Sequence, residues 1–466
     1  MSRIFVAFLV LVVALCPIAN VRAEGEPCPE VLVEADSVVC RKFLGFGAEW
    51  DPYYRQKTGQ IPRVTEEDWE KVTDRIRFMR PPILRMMMLL RWCYDGENYR
   101  WDSPSMRRLY KHLDLCQTQG VDVVLTDWVI RGWGSVPGVR NVADPAYADA
   151  IGTYLDHLVK ERGYSCIKYF ILINHPNHSS AGWESWRTGA RNVARELRRR
   201  GLDDRITLLG SDAGGGGHLP WHKRAVDQLP DILGGYSIHW YAPDSQVRPG
   251  ELESFFAERW DYAWQNDPEG REKPMLVTEA GMRDGAVPPA SNRNIHTYRY
   301  GLFMADYAVQ AARAGSASVL AWMMDDNSHQ DFRWGLWSDS SKGLKLRPWF
   351  YTWSLLTRYF PRGCTVYGPE QPIDELRILA GQAGRESGGW TFCLVNRANE
   401  AKTVRLKVPG EREKTTMRRY VYSQDRSPED TSGFPVPAGE KDYTLGDGAQ
   451  VTCPAHGVVF LTSCPW

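Results

Sequence analysis

Eight short apolar runs recur along most of this chain, and helical segments separate them. Continuous runs of aliphatic residues, rather than an alternation of apolar and polar ones, are typical of buried parallel strands. The runs begin near residues 43, 83, 121, 167, 206, 236, 274 and 318. Eight strand–helix units in succession predict an α/β fold, a (β/α)8 TIM barrel over residues 43–360. No Gly-x-Gly-x-x-Gly turn follows the first run, which argues against a dinucleotide-binding sheet.

Capping residues between the runs support the helical segments. Thr65 precedes three acidic residues, as expected at a helix start. Ser103-Pro104 begins a second helix, which Gly120 ends, and Asp144-Pro145 begins a third that runs to Gly163. Further helices are predicted over residues 185–200, 221–233, 251–265, 294–314 and 348–359.

The pattern changes in the last quarter of the chain. Residues 361–466 contain short alternating runs, such as 391–395, 403–408 and 457–461, and turn residues separate them. This pattern of short alternating runs and turns predicts a C-terminal all-β sandwich. Two short apolar runs within residues 24–42 predict N-terminal strands that join the sandwich, so that both chain ends meet in one domain.

The N-terminus resembles a cleavable signal peptide. Arg3 precedes an apolar run from Ile4 to Leu15, and Val21-Arg22-Ala23 supplies the small residues of a cleavage site. The run is shorter than the roughly 20 residues that a membrane span needs. We therefore expect cleavage after Ala23, no membrane association afterwards, and a secreted or periplasmic protein.

The cysteines permit disulfides in such a compartment, but their number is odd after cleavage. Nine remain at positions 28, 40, 93, 116, 166, 364, 393, 453 and 464. Cys28 with Cys40, and Cys453 with Cys464, are candidate clamps of the chain ends. No Cys-x-x-Cys pair and no His/Cys cluster has the spacing of a zinc site, so we expect neither a metal nor a cofactor.

The charge balance excludes the common polyanion-binding classes. The formal net charge is +0, which argues against nucleic acid as a partner. The basic run over residues 191–200 is broken by apolar residues at helical spacing and predicts a solvated helix face. Gly214–Gly217 lacks the following Lys-Ser/Thr of a phosphate cradle and is interpreted as a flexible loop at a strand end.

Polar and aromatic residues follow the apolar runs. In barrels of this kind the chemistry lies at the C-terminal ends of the strands, which makes these residues the candidates for a site. They are Glu49, Asp51, Arg85, Asp127, Trp128, Asn174, His175, Asp212, His239, Tyr241, Glu279, Trp322, Asp325 and Asp326. A carboxylate such as Glu279 at the mouth of a barrel suggests glycosidic chemistry and a carbohydrate substrate.

Six motifs in order along the strands resemble those of the clan A retaining glycoside hydrolases, most of all families 30 and 39. They are Gly45-Phe46-Gly47, Arg85, Asn174-x-Pro176, His239-x-Tyr241, Glu279 and Trp322. The resemblance implies a retaining O-glycoside hydrolase with Glu279 as the nucleophile. It also implies substrate-binding roles at the mouth for Arg85, Asn174, His239, Tyr241 and Trp322, and the strand-end positions of Glu49 and Trp128 make these two further candidates for substrate binding.

The sequence departs from that resemblance at position 175. The clan's motif is Asn-Glu-Pro, in which the glutamate is the general acid/base, whereas this chain reads Asn174-His175-Pro176. Three interpretations stay open. His175 donates the proton itself; or another acid does so, among Glu49, Asp51, Asp127, Glu184 and Asp212; or the protein is a catalytically impaired pseudoenzyme that binds carbohydrate.

Overall fold

The computed structural model of the chain describes residues 28–52, 64–128, 134–179, 182–287, 291–326, 333–384 and 388–465. The predicted signal peptide lies outside these ranges, and export stays a prediction. In the described part, no helix combines the length and the apolar character that crossing a membrane requires.

The centre of the molecule is a closed barrel of eight parallel strands. Its last strand pairs with both the first and the seventh, which closes the ring. In chain order, barrel strands 1 to 8 are Gly45–Glu49, Ile83–Met88, Asp122–Asp127, Ile167–Ile171, Thr207–Gly214, Gly235–Ala242, Met275–Met282 and Ser318–Ala321. Each begins within two residues of its predicted start, and the predicted fold class is confirmed.

Helices follow the strands on the outside of the barrel. Thr65 and Ser103 cap their helices with side-chain hydrogen bonds, and Gly120 ends the second helix in the left-handed conformation. The helices of the described residues are Glu66–Met79, Pro104–Gln119, Pro145–Asp156, Gly182–Arg199, His218–Gln228, Asp244–Val247, Glu251–Asn266, Tyr298–Arg313 and Trp349–Tyr359.

Several predicted helix bounds need correction. The third helix ends at Asp156 and passes into a π-helical turn over His157–Glu161, short of Gly163. The glycine run at 214–217 is not a loop, because Gly214 ends a barrel strand and Gly215–Gly217 form a 3-10 turn that leads directly into the next helix.

The remaining strands form two sheets beside the barrel. The seven-stranded sheet contains, in spatial order, Gly439–Thr444, Lys414–Tyr422, Val458–Thr462, Trp390–Asn396, Leu376–Gln382, Thr365–Tyr367 and Val38–Cys40. The three-stranded sheet contains Glu30–Leu32, Lys402–Lys407 and Ala449–Cys453. Apolar side chains from both sheets, such as Val31, Phe392 and Leu406, pack in one buried cluster between them.

The N-terminal strands therefore pair within the β-sheets, whereas the domain boundaries at 43, 360 and 361 stay predictions. A two-stranded pair, Ala286–Val287 with Ser291–Asn292, lies after the seventh barrel strand.

The predicted cysteine clamps are absent. All nine cysteines from Cys28 to Cys464 are free in the structure, including both members of each predicted pair.

A layer of aliphatic side chains fills the lower part of the barrel and sets the level of the site above it. Ile83, Val124, Ile171, Leu209, Leu276 and Leu320 form this buried cluster. Alternate residues of a strand point to the same side. The residues two positions further along, such as Arg85, Thr126 and Thr278, therefore form the next inward layer, which is polar.

Candidate active site

Arg85, on the second barrel strand, is the centre of the polar layer. Its guanidinium is fully buried, and its nitrogens donate hydrogen bonds to five side chains on five different strands or strand ends. The acceptors are Thr126 at 3.0 Å, Glu49 and Glu279 each at 2.9 Å, Asn174 at 3.0 Å and Asp212 at 2.8 Å. The Coulombic attraction of three carboxylates outweighs the effect of burial and raises the pKa of Arg85, which stays charged. One cation thus fixes the positions of three acids.

Two irregularities in the strand pairing aim acids into this layer. The pairing of the fifth and sixth strands skips Asp212, which has a φ of 60°. The pairing of the sixth and seventh strands skips Thr278, so that Glu279 lies opposite His239. An extra residue of this kind changes the direction of the side chains beside it. Thr278 in turn donates a 2.6 Å hydrogen bond to Asp212.

Glu279 is almost completely buried, with 3% of its surface exposed, and each of its oxygens has a partner. Oε1 accepts from Arg85, and Oε2 accepts from the hydroxyl of Tyr241 at 2.8 Å. Burial alone would raise the pKa of Glu279, but His239, His175 and Arg85 outweigh it and hold the pKa well below its usual range. Glu279 is therefore an ionised carboxylate at neutral pH.

His175 lies directly beside this carboxylate. Its Nε2 is 3.3 Å from Oε2 of Glu279, and its side chain is 31% exposed. Burial lowers the pKa of His175, but the negative charge and hydrogen bond of Glu279 prevail and raise it above its usual value. The backbone of His175 has a φ of 48°, at the start of a short 3-10 turn. His175 thus forms an ion pair with Glu279 when it is protonated.

His239 lies on the other side of the same carboxylate. It is fully buried; its Nδ1 is 3.5 Å from Oε2 of Glu279, and its Nε2 is 2.8 Å from Oδ1 of Asp212. Burial lowers the pKa of His239, which favours the neutral ring. Burial would raise the pKa of Asp212, but Arg85 and His239 lower it to about 2.

The other acids that the sequence offers as proton donors are engaged in structural contacts. Glu49 and Asp212 hold Arg85, and burial raises the pKa of Glu49 well above its usual value despite that cation. Asp51 accepts from the backbone of Met87, and Asp127 accepts from Tyr147. Glu184 lies on an outer helix, is 72% exposed and pairs with Arg187.

Aromatic side chains line the same end of the barrel. Trp322 packs in a cluster with Met87, Met323 and Trp334, against which Trp128 and Tyr241 are partly buried. The rings of Tyr241 and Trp334 lie edge to face, with their centroids 5.7 Å apart. Such rings offer apolar faces to a sugar.

The structure brings all nine predicted site residues into this one region: Arg85, Asn174, His175, His239, Tyr241 and Glu279 in a hydrogen-bonded or charged network, and Trp128 and Trp322 in the adjoining aromatic cluster. Glu49 is the ninth and joins the network through Arg85. Asp325 and Asp326 serve other contacts, with Trp50 and with Arg347 respectively. Sequence reasoning missed Thr126, Thr278 and Trp334; inward alternation from Val124 and Leu276 was a signal for the first two. The segments 53–63, 129–133, 180–181, 288–290 and 327–332 near the strand ends lie outside the described residues.

Comparison of the sequence with family models decides the class. The model of Cellulase (glycosyl hydrolase family 5) matches residues 55–328, more than half of the chain. The chain belongs to this family. The expectation of a clan A glycoside hydrolase is thereby confirmed, while the closer placement beside families 30 and 39 stays a prediction.

Solved glycoside hydrolase structures share the fold over nearly the whole chain. A GH30 endoxylanase from Clostridium papyrosolvens aligns with a TM-score of 0.67 and 12% identity, over 93% of this chain and 100% of its own. A glucosidase from Croceicoccus marinus aligns with a TM-score of 0.66 and 12% identity, over 94% and 99%. An alpha-L-arabinofuranosidase from Thermotoga maritima aligns with a TM-score of 0.62 and 14% identity, over 93% and 99%. A search of curated proteins gave no match.

The expectation that no metal is bound was based on the spacing of residues along the sequence. In the folded chain, three residues of metal-binding type that are far apart in sequence lie close together. His175, His239 and Glu279 come from three different strand ends, and one donor atom of each lies within 4.8 Å of the others.

Proposed function

We propose that this protein is an exported retaining glycosidase that cleaves O-glycosidic bonds of a carbohydrate, with Glu279 as the nucleophile and His175 as the proton donor. The observation that carries the proposal is the state of Glu279: an ionised carboxylate at the C-terminal end of the seventh strand, oriented by Arg85 and Tyr241. Family membership supports the reaction class.

In the first step, an oxygen of Glu279 attacks the anomeric carbon, and the bond to the leaving-group oxygen breaks. Protonated His175 gives its Nε2 proton to that oxygen, and the sugar stays bound to Glu279 as an ester. In the second step, neutral His175 takes a proton from water, which attacks the same carbon and releases Glu279. Asn174, whose Oδ1 is held by Arg85, is placed to contact the sugar beside the reacting carbon.

A second candidate, a carbohydrate-binding protein with slow or no turnover, is favoured by one contact. His175 and Glu279 are 3.3 Å apart, closer than the roughly 5–5.5 Å between the two carboxyls of the usual retaining site. The proton donor is therefore paired with the nucleophile, and a sugar must separate the two before they can act.

Substitution of the nucleophile tests the proposal. Glu279→Gln keeps the size of the side chain but removes the charge, and should reduce turnover of an activated aryl glycoside by at least about 10³-fold. Unchanged rates would exclude Glu279 as the nucleophile. Wild-type protein that binds sugars in calorimetry but cleaves no aryl glycoside would support the second candidate instead.

A further inference from the structure

Two histidines and the hydroxyl of Tyr241 converge on a single carboxylate oxygen at the mouth of the barrel. Nε2 of His175 lies 3.3 Å, and Nδ1 of His239 lies 3.5 Å, from Oε2 of Glu279. Zinc binds nitrogen and oxygen at about 2.0–2.1 Å with tetrahedral geometry, which places neighbouring ligand atoms about 3.3 Å apart. These two separations match two edges of such a tetrahedron, and the third, between the histidine nitrogens, lies within 4.8 Å.

The surroundings of His239 fit a cation between these atoms. The ring is fully buried, and neither Nδ1 nor Nε2 has a hydrogen-bond partner among the described residues. Nε2 is 2.8 Å from the carboxylate of Asp212, and a proton on this nitrogen would leave the lone pair on Nδ1. That lone pair would face the carboxylate of Glu279, and a metal ion between the two buried atoms would satisfy both.

The surrounding residues already form the outer contacts that metal sites require. A ligating histidine usually has its second nitrogen held by a carboxylate, which fixes its orientation. Asp212 has this position beside His239, and Thr278 and Arg85 hold Asp212 in place. Arg85 also binds the other oxygen of Glu279, so that Oε2 faces the two histidines and the hydroxyl of Tyr241.

We propose that His175, His239 and Glu279 form a binding site for one divalent transition-metal ion of the Zn²⁺ class. Two imidazoles and one carboxylate suit zinc, and three protein ligands leave the fourth position for water. The 31% exposure of His175 provides access from solvent. The site goes beyond the glycosidase activity, and an ion there would occupy the oxygen that the proposed nucleophile presents to a sugar.

Direct metal binding tests this site without any substrate. The purified chain, free of a histidine tag, is treated with a chelator, dialysed, and titrated with Zn²⁺ in a calorimeter. We expect one ion per chain. Co²⁺ in place of Zn²⁺ should give the visible absorption of a four-coordinate ion without the near-ultraviolet band of a thiolate ligand, which excludes binding by the free cysteines. Absence of binding, or a thiolate band, would overturn the proposal.

Matched variants locate the ion. His175→Ala and His239→Ala should each weaken Zn²⁺ binding at least 10-fold, and Asp212→Asn should weaken it about 10- to 100-fold by releasing His239. His178→Ala is the control, because His178 lies near His175 but binds the carbonyl of Gly214; its affinity should equal that of the wild type. If His239→Ala fails to fold, the partly exposed His175 still decides the question. Equal affinity in wild type and His175→Ala overturns the proposal, and because no sugar is involved, this failure differs from failure of the glycosidase assay.

Discussion

Arg85 and Glu279 are joined by a 2.9 Å hydrogen bond between guanidinium and carboxylate, although 194 residues separate them in the chain. The same guanidinium holds Glu49 and Asp212, and all four side chains are buried. Because one buried cation holds three acids, the positions of these acidic side chains depend on its positive charge. Removal of the cation would leave several acids without compensation in a poorly solvated layer.

Arg85→Met should therefore destabilise the protein strongly. We expect the free energy of unfolding to fall by about 3–5 kcal/mol, the usual cost of removing one partner from a buried ion pair. Arg77→Met is the control, because Arg77 is 61% exposed and, among the described residues, pairs with Asp74 of its own helix; its effect should stay within about 0.5 kcal/mol. Urea denaturation followed by fluorescence measures both. Similar stabilities for the two variants would contradict a central role for Arg85.

His175→Glu should restore the acid that the clan's motif contains. Glutamate at this position provides a carboxylic acid for the leaving group, and general acid catalysis contributes about 10²–10⁴-fold. We expect a gain on glycosides with unactivated leaving groups and little change on activated aryl glycosides. His178→Glu, three residues further along, should give no gain on either substrate. An unchanged rate for His175→Glu on both substrates would favour the binding-only function.

Tyr241→Phe should lower activity without unfolding the protein. The hydroxyl donates to Oε2 of Glu279 at 2.8 Å, and burial raises the pKa of Tyr241 so that it remains a donor. A hydrogen bond to a charged group is worth about 1.5–3 kcal/mol, so we expect kcat/KM to fall about 10- to 100-fold.

The control for this variant comes from the same strand. Tyr236 donates to Asp267 at 2.6 Å at the other end of the barrel, so Tyr236→Phe should reduce stability and leave kcat/KM near the wild-type value. Equal losses of activity in both tyrosine variants would indicate a general loosening of the strand rather than a role at Glu279.

The fold was predictable because a strand that is buried on both faces consists mostly of apolar residues, and such runs can be recognised in the sequence. All eight barrel strands begin within two residues of their predicted starts, and Thr65 and Ser103 cap helices as their sequence contexts indicate. Less predictable were the extra residues at Asp212 and Thr278, since a strict alternation from Leu209 and Leu276 assigns the side chains of Asp212 and Glu279 to the wrong side. The cluster of His175, His239 and Glu279 could not be predicted for a related reason. These residues are far apart in sequence and meet only when the barrel closes.

Acid should destabilise the protein through its buried histidines, and His222 isolates one such contribution. His222 is fully buried on the fifth outer helix, with Nε2 against the carbonyl of Arg259 at 2.8 Å, and burial lowers its pKa to about 4. The unfolded chain, with an ordinary pKa near 6.5, binds more protons than the folded chain between about pH 6.5 and pH 4. Stability from this residue is therefore present above that window and is lost as the pH falls through it.

His222→Gln removes the titrating group. Between pH 7 and pH 4.5, the free energy of unfolding of this variant should therefore fall by about 2–3 kcal/mol less than that of the wild type. Denaturation at a series of pH values measures the difference, and parallel curves for the two proteins would show that His222 does not titrate in this way.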